Sequence, residues 1–179
     1  MVSRVTRLED LFAPRIATIV PDAVGSGLAA TLRERFERAG YTRYARVDRG
    51  SYDELLDPGE LEPIAALITV ATEITERTLI LADARVLRLV PGDYLLAHHD
   101  RVHDDDQLEM ILDLSPAHVP DAAVHYRRTG DVYFEVPAQP CALSVVARTP
   151  TVSCNHSYIS KLHAGACIVR LVLRLTAPP

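Results

Sequence analysis

The residues of this chain best suited to metal chemistry lie in two places. His98, His99 and His103 form one cluster, and His156 stands 58 residues after His98. The cluster sits in Tyr94-Leu95-Leu96-Ala97-His98-His99-Asp100, shortly after Pro91-Gly92. Read as a strand, period-2 alternation places Leu96, His98 and Asp100 on one face and His99 on the other. An imidazole and a carboxylate two positions apart can share one ion, and a third ligand must then come from elsewhere in the fold. His156, within Cys154-Asn155-His156-Ser157-Tyr158, is the candidate. Two histidines and one carboxylate on one side of an ion leave the opposite positions open, an arrangement that suits Fe(II) and its need to take up further ligands and O2. A lone HxD is a common sequence, and an isolated strand histidine is commonly a hydrogen-bonded structural residue. The context therefore decides.

Part of that context is the last apolar run, Ala166-Cys167-Ile168-Val169-Arg170-Leu171-Val172-Leu173-Arg174-Leu175. Alternation gives it one wholly apolar face, Cys167, Val169, Leu171, Leu173 and Leu175, expected to pack on helices. The other face carries Ile168, Arg170, Val172 and Arg174 and looks inward if the sheet closes. A buried guanidinium is costly without an anion, so an inward arginine implies a bound carboxylate or an internal Asp or Glu. Its planar fork binds a carboxylate through two parallel hydrogen bonds. A solvated sheet end is the alternative placement.

The histidine cluster offers one rival chemistry. His99-Asp100-Arg101-Val102-His103 imitates the HExxH zinc signature, with Asp in place of Glu. Its flanks oppose a helix, because Pro91-Gly92 lies upstream and Asp104-Asp105-Asp106 follows directly. The acidic run reads as a solvated loop, or as part of a lid facing a cationic substrate. The cysteines, Cys141, Cys154 and Cys167, form no CxxC and are odd in number, so they read as small apolar packing residues.

These residues need a scaffold, and the pattern of the chain supplies one. Val24, Leu28, Leu32 and Phe36 recur every four residues and predict an amphipathic helix closing at Gly40. A second helix is expected after Asp57-Pro58-Gly59, with Leu61, Ile64, Leu67, Ile68, Ala71 and Ile74 as its apolar stripe. Residues 41–47 read as one short strand between them. From about residue 79 the period changes to short apolar runs at 86–90, 94–97, 108–114, 132–136, 142–147 and 168–175, broken by turn residues. Seven or eight short strands at such spacing predict a sandwich or barrel, here an antiparallel barrel or jelly roll carrying two helices. The 179 residues, 48% hydrophobic and 24% charged, are read as a single domain, with 1–78 as a helical support region and 79–175 as the β core. A net charge of −5 opposes nucleic-acid binding, no apolar run reaches membrane-spanning length, and residues 1–10 lack a signal-peptide stretch. A cytoplasmic protein is expected.

With these elements placed, Val86-Leu87-Arg88-Leu89-Val90-Pro91-Gly92-Asp93-Tyr94-Leu95-Leu96-Ala97-His98-His99-Asp100 resembles the strand, glycine turn and HxD of the Fe(II)- and 2-oxoglutarate-dependent oxygenases, especially the small prolyl-hydroxylase-like branch. Residues 107–114 resemble the strand that follows, His156 matches the distal histidine, and Gly165 matches the glycine before the last strand. The resemblance covers roughly residues 79–175. It implies a mainly β fold with N-terminal α-helices, a double-stranded β-helix of the cupin-like jelly-roll kind. It implies Fe(II) held by His98, Asp100 and His156, with 2-oxoglutarate as cosubstrate. The expected reaction is hydroxylation of an unactivated C–H of a small metabolite such as an amino acid, or of a peptide residue. Retention of Asp100 argues against a halogenase. The branch places its basic cosubstrate anchor closer to the distal histidine than here, where Arg170 follows His156 by 14 positions. Arg174 and Lys161 are the other anchor candidates. Tyr94 beside the cosubstrate, and Asn155 and Arg101 beside the substrate, flank the ligands and are weighed against surface or packing roles. A non-catalytic cupin-like barrel that binds a small molecule or a partner is the alternative reading.

Overall fold

The computed structural model describes residues 17–98, 107–149 and 151–178. His99, Asp100, Arg101, His103 and the acidic run 104–106 lie outside the described residues, as does the segment 1–16. The elements run β1 (Ala17–Val20), α1 (Ser26–Ala39), β2 (Thr42–Arg46), β3 (Gly50–Leu56), α2 (Glu62–Thr75), β4 (Ile80–Leu89), β5 (Tyr94–His98), β6 (Gln107–Asp113), β7 (Ala123–Arg128), β8 (Asp131–Pro137), β9 (Leu143–Arg148), β10 (Val152–His156) and β11 (Ile168–Thr176). No helix among the described residues is long and apolar enough to cross a membrane.

Both helices form where the apolar spacing predicts them. In α1 the buried positions are Ala29, Leu32 and Phe36, and the helix stops at Gly40, which adopts φ 85° and returns its N–H to the Phe36 carbonyl at 3.0 Å. In α2 Pro63 occupies the first turn, where its missing N–H costs nothing, and Ile64, Leu67 and Ala71 are buried.

The strands pair antiparallel in the order β1-β9-β6-β11-β4-β3-β5-β10-β7-β8, with β2 on β3. One half, β9-β6-β11-β4, carries the helices. The other, β5-β10-β7-β8, faces it across an interior, which is the jelly-roll arrangement. The central strand β11 shows the division residue by residue. Val169, Leu171, Leu173 and Leu175 pack in one core with Leu32, Phe36, Ile64 and Leu67 of the helices. Ile168 and Val172 pack in a second core with Leu87, Ile111, Val124, Tyr126 and Val146 from the surrounding strands. Both faces are buried, so Arg170 and Arg174 point into the interior and not to a solvated sheet end.

The first third of the chain contributes more sheet than its sequence pattern shows. Besides β2, expected near residues 41–47, it supplies β1 and β3. β3 joins the two halves: Asp53–Leu56 pair with β4, while Gly50 and Ser51 pair with Leu95 and Tyr94 of β5. Gly50 has φ 139°, and a Cβ there would collide with the Tyr94 carbonyl oxygen. Gly50→Ala is expected to cost about 2–4 kcal/mol, from a disfavoured φ plus backbone displacement. Urea unfolding of the two proteins measures it, and an unchanged midpoint would show that β3 does not need this close approach.

Candidate functional site

The turn that delivers β5 into the interior is fixed by a buried carboxylate. Asp93 accepts from Arg43 at 2.9 and 2.5 Å, from the Ser51 hydroxyl at 2.9 Å and from the Val90 N–H at 3.0 Å. Gly92 adopts φ 102°, donates its N–H to the Ile159 carbonyl at 2.8 Å, and the Ile159 N–H returns to the Asp93 carbonyl at 2.8 Å. The turn before β5 is thereby stapled to the segment that follows β10. Burial pushes the Asp93 carboxyl upward, but Arg43, the Val90 N–H and Ser51 outweigh it and hold the group below its ordinary value. A depressed carboxyl contributes stability that is fully present above its unfolded pKa of about 3.9 and is lost as pH falls through the lower folded value. Asp93→Asn is therefore expected to lower Tm at pH 7 and to flatten the fall of Tm below about pH 4. Parallel pH profiles of the two proteins would contradict this role.

The strand carrying His98 and the strand carrying His156 are neighbours. β5 and β10 run antiparallel, with Cys154 opposite His98 and His156 opposite Leu95. Two residues on β10 match three on β5, so a bulge interrupts the ladder. The expected grouping of Leu96 with His98 on one face turns on the His98 side chain, which lies outside the described structure. Leu95 is buried in the interior core, Leu96 is exposed, and His98 takes the position opposite the buried Cys154. His156 is itself buried, 4% exposed, on the inward side of β10.

Arg170 meets His156 in this interior. It is 1% exposed, pairs in register with Leu87 of β4 and Asp113 of β6, and donates from Nη1 to His156 Nδ1 at 2.8 Å. Its Nε and Nη2 are buried without a hydrogen-bond partner among the described residues. Asp113 is the cross-strand neighbour, but its Oδ1 takes the Ser115 N–H at 2.8 Å and its Oδ2 is also unpartnered. Burial lowers the Arg170 pKa, and the charge of Asp113 opposes the change only in part. Among the described residues a guanidinium so placed has no counter-ion in contact.

The second inward arginine differs. Arg174 lies opposite Glu109 of β6, with Nε 3.7 Å from Oε2. Glu109 also accepts from Arg148 Nη1 at 2.8 Å and from the Tyr126 hydroxyl at 2.7 Å. Burial raises the Glu109 carboxyl, but Arg148, Tyr126 and Arg174 outweigh it and hold the group ionised. Arg148 further donates to Cys154 Sγ at 3.3 Å, so this polar cluster reaches the strand position opposite His98. The Cys154 thiol is pushed up to about 11, first by burial and then by Glu109, which makes it a packing residue and not a nucleophile. Glu109, Arg148 and Tyr126 are functional-site residues that the sequence motifs do not mark. Glu109 and Arg148 carried a signal, a charged residue near one end of an otherwise apolar run, whereas Tyr126 carried none.

The remaining candidates separate cleanly. Tyr94 follows the opposite alternation from buried Leu95, and so points away from the interior. Asn155 does likewise on β10: it accepts from Arg127 at 3.0 Å and lies 3.3 Å from His125 Nδ1, on the outer face of the sheet. Lys161 is exposed, with its chain against Gly92. Arg170 and Arg174 are both buried, but among the described residues only Arg174 of the two has a carboxylate within salt-bridge distance, that of Glu109. Cys141 and Cys167 pack against the helix-side core as expected. Among the described residues no three His, Cys, Asp or Glu side chains surround one point that could hold an ion, and Asp100 lies outside the described residues.

The residues present fit a carboxylate-bearing ligand better than they fit an apolar core, because two buried donors of Arg170 await an acceptor. No family model matches the sequence, and no curated protein matches it. Solved structures do. A prolyl-4-hydroxylase from Pseudomonas putida is 16% identical over 94% of this chain and 96% of that one, with TM-score 0.68. The viral collagen prolyl hydroxylase of Paramecium Bursaria Chlorella virus-1, solved as a 2-oxoglutarate complex, is 12% identical over 92% and 98%, with TM-score 0.67. HygX from Streptomyces hygroscopicus, solved with nickel and 2-oxoglutarate bound, is 12% identical over 99% and 88%, with TM-score 0.63. The chain thus has the fold shared by prolyl-4-hydroxylases and other 2OG-Fe(II) oxygenases.

Proposed function

We propose that this protein is an Fe(II)- and 2-oxoglutarate-dependent dioxygenase that hydroxylates a C–H bond. The observation that carries the reading is Arg170, fully buried on the inward face of β11 with two donors unpartnered, in a fold that solved 2-oxoglutarate complexes share. His98, Asp100 and His156 would hold the iron. Bound iron would supply O2 activation: one oxygen atom enters the substrate as a hydroxyl, and the other leaves in succinate as 2-oxoglutarate loses CO2. Arg170 pairs with the distal carboxylate of the cosubstrate through its fork. Leu87, Leu95, Ile111, Val124 and Ile168 line the interior and exclude water, which strengthens that pairing. The substrate is a small metabolite such as an amino acid, or a residue of a peptide, and the protein acts in the cytoplasm.

Anaerobic absorbance titration with Fe(II) and then 2-oxoglutarate tests the reading. A visible metal-to-ligand charge-transfer band is expected only when both are present. It should vanish in His98→Ala and weaken in Arg170→Ala. Stoichiometric iron binding without a band would reject the 2-oxoglutarate chemistry in favour of a cupin-like binding barrel.

A further inference from the structure

Arg170 and Asp113 face each other without touching. They are register partners on β11 and β6, and opposite residues of an antiparallel pair project to the same face, here the interior. Both are almost wholly buried, at 1% and 3% exposed. Arg170 Nε and Nη2 lack an acceptor, and Asp113 Oδ2 lacks a donor. Asp113 Oδ1 is already held by the Ser115 N–H at 2.8 Å. A carboxylate seated on Arg170 would satisfy the two guanidinium nitrogens. It would also set a second anion before Asp113, whose Oδ2 would still have no donor. One added proton satisfies all three atoms.

We infer that Asp113 is the second half of the carboxylate subsite, and that it takes up a proton when a carboxylate binds, donating from Oδ2 to the ligand. The inference rests on the proposed role of Arg170 as cosubstrate anchor, and on no metal. The proton comes from solvent, and no other bond forms or breaks. One guanidinium then balances one carboxylate, and the two carboxyl groups share a proton as a pair. The surroundings of Asp113 supply no other charge for this purpose. From β11 it faces Arg170. His156 of β10 lies beyond the guanidinium, on Nη1, and the Tyr126 hydroxyl of β7 is engaged with Glu109. β9 brings Ala142, Leu143 and Ser144, none of which titrates. From α1, Arg33 donates to the neighbouring Leu114 carbonyl at 2.8 Å. Because the complex holds one proton more than the free components, affinity must fall as pH rises, by about tenfold per unit where the uptake is complete.

Glutarate, which has both carboxylates but lacks the 2-oxo group, is the probe, used with metal-free protein. Calorimetric titration in two buffers of different ionisation enthalpy counts the protons exchanged. Wild type is expected to take up about one proton per glutarate at pH 7, and to bind up to about tenfold more weakly at pH 8. Asp113→Asn keeps the shape, keeps an oxygen for the Ser115 N–H and offers an amide N–H to the ligand, so it imitates the protonated carboxyl. It should bind glutarate without proton uptake, equally at both pH values and more tightly than wild type at pH 8. Infrared difference spectra supply a direct readout. With glutarate labelled by 13C at both carboxyls, wild type should gain an unlabelled protonated-carboxyl band that Asp113→Asn lacks. A proton count of zero in wild type would overturn the inference and spare the anchor, whether or not the variant folds. Proton uptake retained in Asp113→Asn would do the same. Failure of glutarate to bind would overturn both.

Discussion

Arg170→Met is expected to weaken 2-oxoglutarate binding by about a hundredfold or more, while Tm falls by no more than a few degrees. The two halves of this result have different causes. Removing one partner of a buried, hydrogen-bonded charge pair costs about 2–5 kcal/mol of binding, much of it from the carboxylate left without a donor. Folding is another matter. Among the described residues Arg170 has no carboxylate in contact, and two of its buried nitrogens lack partners. Replacing a poorly compensated buried charge with an apolar side chain of similar volume is often neutral or stabilising, by up to about 4 kcal/mol. Against that stands the His156 acceptor stripped of its donor, at about 1–3 kcal/mol. The terms nearly cancel. Calorimetric titration with 2-oxoglutarate beside a melting curve measures both. A collapse of Tm with unchanged ligand affinity would identify Arg170 as structural.

Glu109→Gln reverses the pattern. Glu109 is 2% exposed and is the only carboxylate within salt-bridge distance of Arg148 among the described residues. Gln keeps the shape and removes the charge, leaving Arg148 buried and uncompensated beside Arg174. Such a loss costs about 3–5 kcal/mol, which for a chain of this size lowers Tm by roughly 6–20 °C. The pH dependence follows from the depressed Glu109 carboxyl. Its contribution is fully present above the unfolded value of about 4.3 and disappears as pH falls through the folded value, so the gap between wild type and Glu109→Gln should close in acid. Adding Arg148→Met to Glu109→Gln should recover most of the loss, because the pair is then absent and not broken. A double variant no more stable than the single one would show that the cost lies in packing around Tyr126. The two positions thus divide the interior: one arginine with its counter-charge supplied, and one without.

How much of this was legible in the chain follows from what periodicity can carry. The helices at 26–39 and 62–75 and the two-faced final strand repeat apolar residues at spacings set by local geometry, so their positions and buried faces follow from sequence alone. Strands β7 and β10 were harder. Ala123–Arg128 and Val152–His156 alternate buried apolar residues with His125, Arg127, Ser153 and Asn155, and they show no apolar run. β3 was invisible for the same reason, with Asp53 and Glu54 at its centre. The inward direction of Arg170 and Arg174 could be read from alternation along β11, since a strand's two faces are fixed by its own period. The sites of Tyr94 and Asn155 could not be read from their nearness to histidines, because neighbours along a strand point to opposite faces.

Local pattern therefore sufficed for the fold class and for a buried arginine in need of an anion. Which arginine that is, Arg170 or Arg174, depends on register. β11 against β6 sets Glu109 beside Arg174, and β10 brings His156 to Arg170. The pairing of β10 with β5 also carries a register shift between His98 and Leu95 that no single-strand pattern shows. Period-2 alternation is a property of one strand, but partnership between charges belongs to pairs of strands far apart in the chain. A slip of one residue in such a pair exchanges every inward side chain for an outward one, and only the closed sheet sets that register.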